Sequence, residues 1–361
     1  MEKIHEDYAS DKPHAFGSKK RAYDYYPVND RKLIDKAYNK NDIYTRFKQH
    51  RKPKHYSPIY VKRKRELFQC DTTFFTADAL VEVNHGYKYL LCVIDVYTKM
   101  AWTYPLKDVK CEAVVECLKD VFSKCGKVPE KIQTDKGSEF KCASMKKLMQ
   151  DNNIVHYFSY SDRKCAVVER FNLTIQQLLY KIMTQYRSYE WTKLLPQAMK
   201  IYLNRTHRTI EMSPLDAEKD ESEEKLKETY IEIYKKAEEN RSKPKFKVGD
   251  LVRIFVKRST FHRGYYQNYT VEYFKIKKVL TNLPIPRYKL DDIMGEEVEA
   301  TFFPDELVAY TPANDEYYIE KVIMSRGKGR NKRHLVQWEG WPSKFNSWIR
   351  DEELRNYRVI N

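Results

Sequence analysis

The chain has 361 residues, of which 42% are hydrophobic and 14% aromatic, with 67 Lys and Arg against 51 Asp and Glu, a formal charge of +16. That length exceeds one ordinary domain and that apolar content supports real cores, so two to four domains are expected. The basic balance points to a polyanionic partner, and the longest apolar run, Tyr89–Ile94, is too short to span a bilayer; with no signal peptide at the start, a soluble, non-secreted protein is expected.

Residues 1–62 are rich in Lys, Arg, Tyr and Pro and read as a basic arm, partly disordered, with one short helix near Arg31–Tyr38. Residues 1–65 carry 18 Lys and Arg against 8 Asp and Glu, which places about +10 of the charge there. From Leu67 the pattern changes. Strands are expected from Leu67 to about Phe75, at Tyr87–Val96 and at Met100–Pro105, joined by short polar turns as an antiparallel meander. Cys111–Phe122 has helical spacing, Lys131–Thr134 is a short strand, Phe140–Asp151 a helix and Ile154–Tyr160 a strand. A meander followed by alternating helices and strands gives a mixed sheet of about five strands with helices on both faces, the RNase-H-like plan, over residues 63–215.

Val168, Phe171, Ile175, Leu178 and Ile182 share one face of a long helix, and Trp191–Asn204 reads as another. Residues 216–243 are a charged connecting helix or linker. Alternation from Lys245 through Tyr273–Val279, Tyr288–Asp291 and Glu297–Thr301 predicts a small all-β barrel over 244–311. Residues 315–361 form a separate module, with strands at Tyr317–Ser325 and His334–Trp338 and a polar stretch around Asp351–Leu354. The seven cysteines all fall between Cys70 and Cys165 with no Cys-x-x-Cys pair, and are expected to be reduced core residues.

Three acids stand out: Asp71 after an apolar strand, Asp135 between Ile132 and Gly137, and Glu169 at the start of the long helix. Displacement at a phosphodiester needs an activated nucleophilic oxygen, a stabilised leaving oxygen and charge relief, which two divalent cations about 4 Å apart provide. Magnesium takes hard oxygen ligands and retains waters, so three carboxylates from separate elements suffice. Glu169 lies 34 positions beyond Asp135, room for one helix and one strand. The plain alternative for each acid is a turn residue or helix cap. Asp78, Asp95 and Glu139 compete, Asp95 most closely because it too ends an apolar strand.

The segments Gln69-Cys70-Asp71, Val93–Lys99, Gln133–Phe140 and Val168–Thr174 together resemble the retroviral-type integrase core with its DDE triad, in the flavour of Polinton/Maverick and gypsy-like mobile elements. The resemblance covers roughly residues 60–215. It implies 3′-end processing and strand transfer, with Asp71 and Asp135 bridging two Mg²⁺ ions, which Mn²⁺ can replace, and Glu169 completing the second site. Lys136 stands where retroviral cores commonly have Asn. Such integrases usually carry a His/His/Cys/Cys zinc module upstream, whereas residues 1–65 hold His5, His14, His50 and His55 without a cysteine; no zinc is expected.

Tyr44–Tyr56 interleaves basic and aromatic residues, as a segment that tracks phosphates and stacks on bases would. A nuclear import signal is the competing reading, and Lys62-Arg63-Lys64-Arg65 serves it equally. Lys136, Arg163, Lys164 and Arg170 flank the acids and are candidate DNA contacts. The opening Val248-Gly249-Asp250-Leu251-Val252 resembles the C-terminal DNA-binding barrel of these integrases, with a generic protein-interaction barrel as the alternative. Glu316–Val322, His334–Trp341 and Asn346-Ser347-Trp348 resemble a chromodomain, a three-stranded sheet with a C-terminal helix. That resemblance implies a methyl-lysine cage of Tyr317, Trp338 and Trp341 held by cation–π attraction, with Trp348 a core aromatic.

The sequence therefore points to a nuclear mobile-element integrase acting on element ends and target DNA. It is expected to be a homodimer or homotetramer, to have no membrane association, and to be steered by a methylated histone tail. A domesticated, catalytically silent DNA- and chromatin-binding protein is the alternative, and a structure-specific RNase-H-like nuclease a further one.

Overall fold

The computed structural model describes residues 2–12, 14–50, 53, 57–158, 165–256, 266–311 and 317–354. It divides into two compact units, one of residues 57–241 and one in which residues 1–56 join residues 242–361.

The N-terminal residues of the second unit are helical, where a partly disordered arm is expected from composition. Helices α1 (Glu2–Tyr8), α2 (Lys19–Tyr25), α3 (Arg31–Lys40) and α4 (Asp42–Phe47) enclose Ile4, Tyr8, Ala22, Ile34, Ala37 and Tyr38. Tyrosines do the work that aliphatic residues do elsewhere: Tyr38 meets Tyr8 and Tyr44 edge to face, with centroids 5.2 and 4.8 Å apart. His14, buried, packs its ring on Tyr25 at 4.1 Å. The charge that suggests disorder lies on the outside of this small bundle, where Lys19 pairs with Asp35 at 2.6 Å.

The 57–241 unit holds the mixed sheet. Strands β1 (Leu67–Phe74), β2 (Tyr89–Asp95), β3 (Ala101–Leu106), β4 (Lys131–Thr134) and β5 (Val155–Phe158) are arranged β3-β2-β1-β4-β5. β1, β2 and β3 pair antiparallel, and β4 pairs parallel with both β1 and β5. β2 is apolar on both faces because both are covered. One face packs on α6 (Cys111–Cys125) and α7 (Ala143–Asp151). The other packs on α5 (Asp78–Val83), a helix where a polar turn is expected, and on α8 (Ala166–Tyr186) and α9 (Trp191–Asn204). α10 (Pro214–Ala217) and α11 (Glu223–Glu239) follow, and α11 buries Leu226 and Tyr230 against Val96 and Tyr97.

Cys111 and Cys142 are joined as a disulfide with Cα atoms 6.3 Å apart, contrary to the expectation that every cysteine is a free thiol. They open α6 and α7, neighbours in space that are 31 residues apart in sequence, so spacing gives no sign of the pair. The basic run Lys62–Arg65 is also engaged: Arg63 pairs with Glu130, Lys64 with Asp220 and Arg65 with Glu218 at 2.8–3.0 Å.

In the other unit, β6 (Leu251–Ile254), β7 (Phe274–Leu280), β8 (Arg287–Asp291) and β9 (Leu307–Ala309) form an antiparallel sheet ordered β8-β7-β6-β9. The expected strand at 297–301 is reduced to isolated bridges, such as Asp291 with Glu297 and Tyr288 with Phe302. Gly249, at φ +92°, turns the chain into β6 through a conformation that a side chain would strain. Arg253 is fully buried, with its guanidinium over the Tyr310 ring at 4.0 Å and paired to Asp42 of α4. A three-stranded sheet of β10 (Ile319–Arg326), β11 (Arg333–Trp338) and β12 (Ser347–Arg350) follows, capped by α12 (Asp351–Leu354). Lys344 bridges from it to Asp292 and Glu296.

Candidate functional site

Strand register sets the first two acids side by side. Gln69 of β1 lies opposite Gln133 of parallel β4, so two residues further on Asp71 and Asp135 leave neighbouring strands, which run about 4.8 Å apart. From sequence Asp71 is expected at a strand end, but it sits within β1, which continues to Phe74, while β4 stops at Thr134. Asp71 thus faces the gap left by the shorter strand.

The third acid arrives through Gln69. This side chain is buried. Its Nε2 donates to Gln133 Oε1 at 2.8 Å, and its Oε1 accepts from the backbone N–H groups of Val167 and Val168 at 3.0 and 3.1 Å. Those amides lie in the first turn of α8, where N–H groups have no intrahelical acceptor. One carboxamide therefore satisfies two orphan donors and fixes over β1 the turn that carries Glu169. Further along the same face, Asn172 Nδ2 donates to Asp71 Oδ2 at 2.8 Å and Gln176 Nε2 to Thr73 Oγ1 at 2.7 Å.

Loss of water pushes the Asp71 carboxyl up to about 6; the Thr72 N–H opposes this, and the charges of Asp135, Glu169 and Glu139 add to the rise. Glu139, a competitor from sequence, is the weakest of these neighbouring charges at Asp71. Its carboxylate folds over Gly137, where a Cβ would stand 2.4 Å from Oε2. Gly137 has an ordinary φ of −55°, so its backbone conformation does not itself require glycine. Asp95 serves the fold instead. It is fully buried at the far end of β2, opposite Phe68, and accepts the N–H groups of Arg65 and Tyr97 at 2.9 and 2.8 Å. Asp78 is exposed at the start of α5.

The donor set suits a hard divalent cation in kind, since it consists of carboxylates carried by three elements. In this arrangement, among the described residues, no three His, Cys, Asp or Glu side chains converge closely enough to ligate one ion. Asp71 Oδ2 and Asp135 Oδ1 are held by the Asn172 amide and the Gly137 N–H.

Of the expected DNA contacts, Lys136 is exposed beside Asp135. Arg170 lines a different cavity that includes none of the triad. Arg163 and Lys164 lie outside the described residues. The three aromatics of the expected cage come together, with Tyr317 5.9 Å from both Trp338 and Trp341. Trp341 is buried against Tyr273 and Phe345, and Trp338 Nε1 donates to Ser347 Oγ. Trp348, expected in the core, is 40% exposed with Arg326 over its ring, because it points to the face of β12 opposite Ile349. Gln69, Gln133, Asn172 and Gln176 have no assigned role from sequence; the one available sign is a glutamine inside the apolar run Leu67-Phe68-Gln69-Cys70.

Residues 62–164 match the integrase core domain family model, a span that contains Asp71 and Asp135 and ends before Glu169. The chain is 33% identical over 198 residues to an uncharacterised transposon-derived protein of Caenorhabditis elegans, covering 55% of this chain and 65% of that one. It is 29% identical over 153 residues to the Pro-Pol polyprotein of simian foamy virus type 3, covering 42% of this chain and 13% of the polyprotein. It is 32% identical over 116 residues to the Gag-Pol polyprotein of feline leukemia virus, covering 31% and 7%. The chain thus spans less than two thirds of the length of these relatives. In fold it is similar to a chain of the simian T-cell lymphotropic virus intasome, solved by cryo-electron microscopy with a PP2A regulatory subunit, with a TM-score of 0.55 at 13% identity over 83% of this chain and 98% of that one.

Gln69→Leu keeps the volume and removes both halves of the bridge. It is expected to cost on the order of 2–4 kcal/mol in denaturant unfolding, since two amides and Gln133 lose their partner, and to speed hydrogen exchange at Val167 and Val168. Unchanged stability and unchanged exchange at these two amides would contradict the anchoring role.

Proposed function

We propose that this protein is a mobile-element integrase that processes the 3′ ends of element DNA and transfers them into chromosomal DNA. What supports this reading is the β1–β4 register that puts Asp71 and Asp135 on neighbouring strands, together with the Gln69 bonds that seat the α8 turn bearing Glu169 over β1. Asp71, Asp135 and Glu169 would hold Mg²⁺ or Mn²⁺. Bound there, a pair of such ions supplies the charge relief and oxygen activation that phosphodiester displacement requires. Asn172 orients the Asp71 carboxylate, and Gln69 sets the height of Glu169 above the sheet. The net charge of +16 favours binding to the DNA backbone, with Lys136 next to the acids. Two element ends call for two active sites, and hence for a dimer or tetramer.

In the same proposal the C-terminal three-stranded sheet is a chromodomain acting in the nucleus. Its Tyr317, Trp338 and Trp341 form a partial aromatic wall for a methylated lysine, and the histone tail that carries it selects where insertion occurs.

The catalytic reading is tested by strand transfer with labelled blunt and recessed duplexes in magnesium and in manganese. Wild type is expected to give joined products, and Glu169→Gln none, with DNA binding retained. Nicked products without joining would indicate a nuclease, and binding without either would indicate a silent DNA-binding protein. The chromatin reading is tested separately by titrating trimethyl-lysine and unmodified histone peptides. Preference for the methylated peptide is expected, with at least tenfold loss, about 1.4 kcal/mol, in Trp338→Ala; equal binding of both peptides would refute it.

A further inference from the structure

Behind the first turn of α8, away from the acids, the 57–241 unit contains a cavity of about 400 Å³, within the range of small-ligand sites. Its walls are of two kinds. Ile59, Val96, Val167, Phe171, Tyr202 and Tyr230 form an apolar and aromatic floor, while Lys99, Arg170, Arg205 and Arg208 contribute four cations with His207 among them. No carboxylate lines it.

Lys99 is the unusual member. It is 5% exposed, held in the left-handed region at φ +62°, and its Nζ donates to the Val96 carbonyl and sits 5.8 Å from the centre of the Tyr230 ring. Among the described residues no carboxylate reaches ion-pair distance of it, nor of Arg170, Arg205 or Arg208. An ammonium has three donors and a buried charge without a counterion is costly; burial lowers the Lys99 amine to about 8 despite the help of Asp95. The floor is not available for polar work either. Tyr202 Oη donates to the Lys99 carbonyl, and Tyr230 Oη to those of Val96 and Tyr97, so both hydroxyls are engaged; both residues are buried, with Tyr230 stacked on Tyr97 at 4.7 Å, and add only apolar edges and carbon surface to the wall. Burial and the neighbouring Lys99 and Arg208 push His207 down to about 4, which leaves a neutral imidazole whose Nδ1 accepts the Thr209 N–H and whose Nε2 is then the donor.

We propose that this cavity binds a nucleoside phosphate, with the phosphate on Lys99, Arg205 and Arg208 and the base on the aromatic and aliphatic floor. Cations without acids select an anion, charge-assisted hydrogen bonds to phosphate are the strong ones, and an apolar pocket of this volume accepts one base and sugar. The same chemistry has two sources, a free nucleotide and the phosphorylated end of a DNA strand. The cavity shares Ala166, Val167 and Arg170 with the turn that presents Glu169, so its occupant would brace that turn from behind. The binding claim stands apart from the integrase reading.

The test is calorimetry of the full chain in chelator, without divalent metal, using dAMP, deoxyadenosine, inorganic phosphate and a 5′-phosphorylated trinucleotide. Saturable dAMP binding is expected, with deoxyadenosine and inorganic phosphate each at least tenfold weaker. Lys99→Met, which keeps the buried stem, and the exposed-residue double variant Arg205→Gln/Arg208→Gln should each weaken dAMP at least tenfold. A trinucleotide that competes with dAMP assigns the site to a strand end, and one that does not assigns it to a free nucleotide. Absence of dAMP binding, equal binding of inorganic phosphate, or dAMP affinity unchanged in both variants would overturn the proposal. Because no metal or chemistry enters, none of these results bears on strand transfer.

Discussion

A single buried carboxamide holds the site together. Gln69 joins two strands through Gln133 and a helix through the amides of Val167 and Val168, and each of these elements carries one acid. The strand pairing alone would align Asp71 with Asp135, but nothing in a sheet fixes the height or rotation of a helix laid across it. Side-chain packing of α8 allows some sliding, whereas two hydrogen bonds to one oxygen do not. Asn172 and Gln176 then continue the same seam toward Asp71 and Thr73. Within the seam Asn172 Oδ1 is buried with no hydrogen-bond partner among the described residues, and a partly satisfied polar seam is costly, which makes it a sensitive point for both folding and function.

The charge distribution follows a similar logic in the other unit. The sequence places its largest basic excess before residue 65, and the fold turns much of it into structure. Tyrosine edges and faces build a small helical core, and α4 offers Asp42 to the buried Arg253 while the Arg46 carbonyl accepts the N–H groups of Asn268 and Tyr269 at 2.7 and 3.0 Å. Residues far apart in sequence thus form one compact unit.

Much of the core is legible from sequence because its signals are local: an apolar run for β2, helical spacing for α6 and α8, and acids at recognisable junctions. The four-stranded and three-stranded sheets were legible in outline through alternation, but β9 and β12 are three and four residues long, too short to carry a period. Of the N-terminal bundle only the helix near Arg31–Tyr38, α3 here, is legible; the others are hidden because two isoleucines with tyrosine and alanine make up the core, a weak apolar signal beside so many lysines. The Gln69 bridge and the Cys111–Cys142 pair depend on contacts set by tertiary structure. No spacing rule announces them.

The central claim is that three acids on three elements share one electrostatic site. Its most direct measurement is the carboxyl titration of Asp71 by NMR in metal-free protein, in wild type and in Asp135→Asn/Glu169→Gln. The carboxyl is raised from its ordinary 3.8 to about 6, so its protonated form is favoured by folding. The stability this provides is full below the unfolded value and lost as pH rises through about 6. The account predicts a wild-type midpoint near 6 that falls in the double variant, with burial keeping part of the shift, and a further fall in wild type when Mg²⁺ is added. A midpoint near 4 in wild type, unmoved by the substitutions or by the cation, would show that the three acids do not share a site.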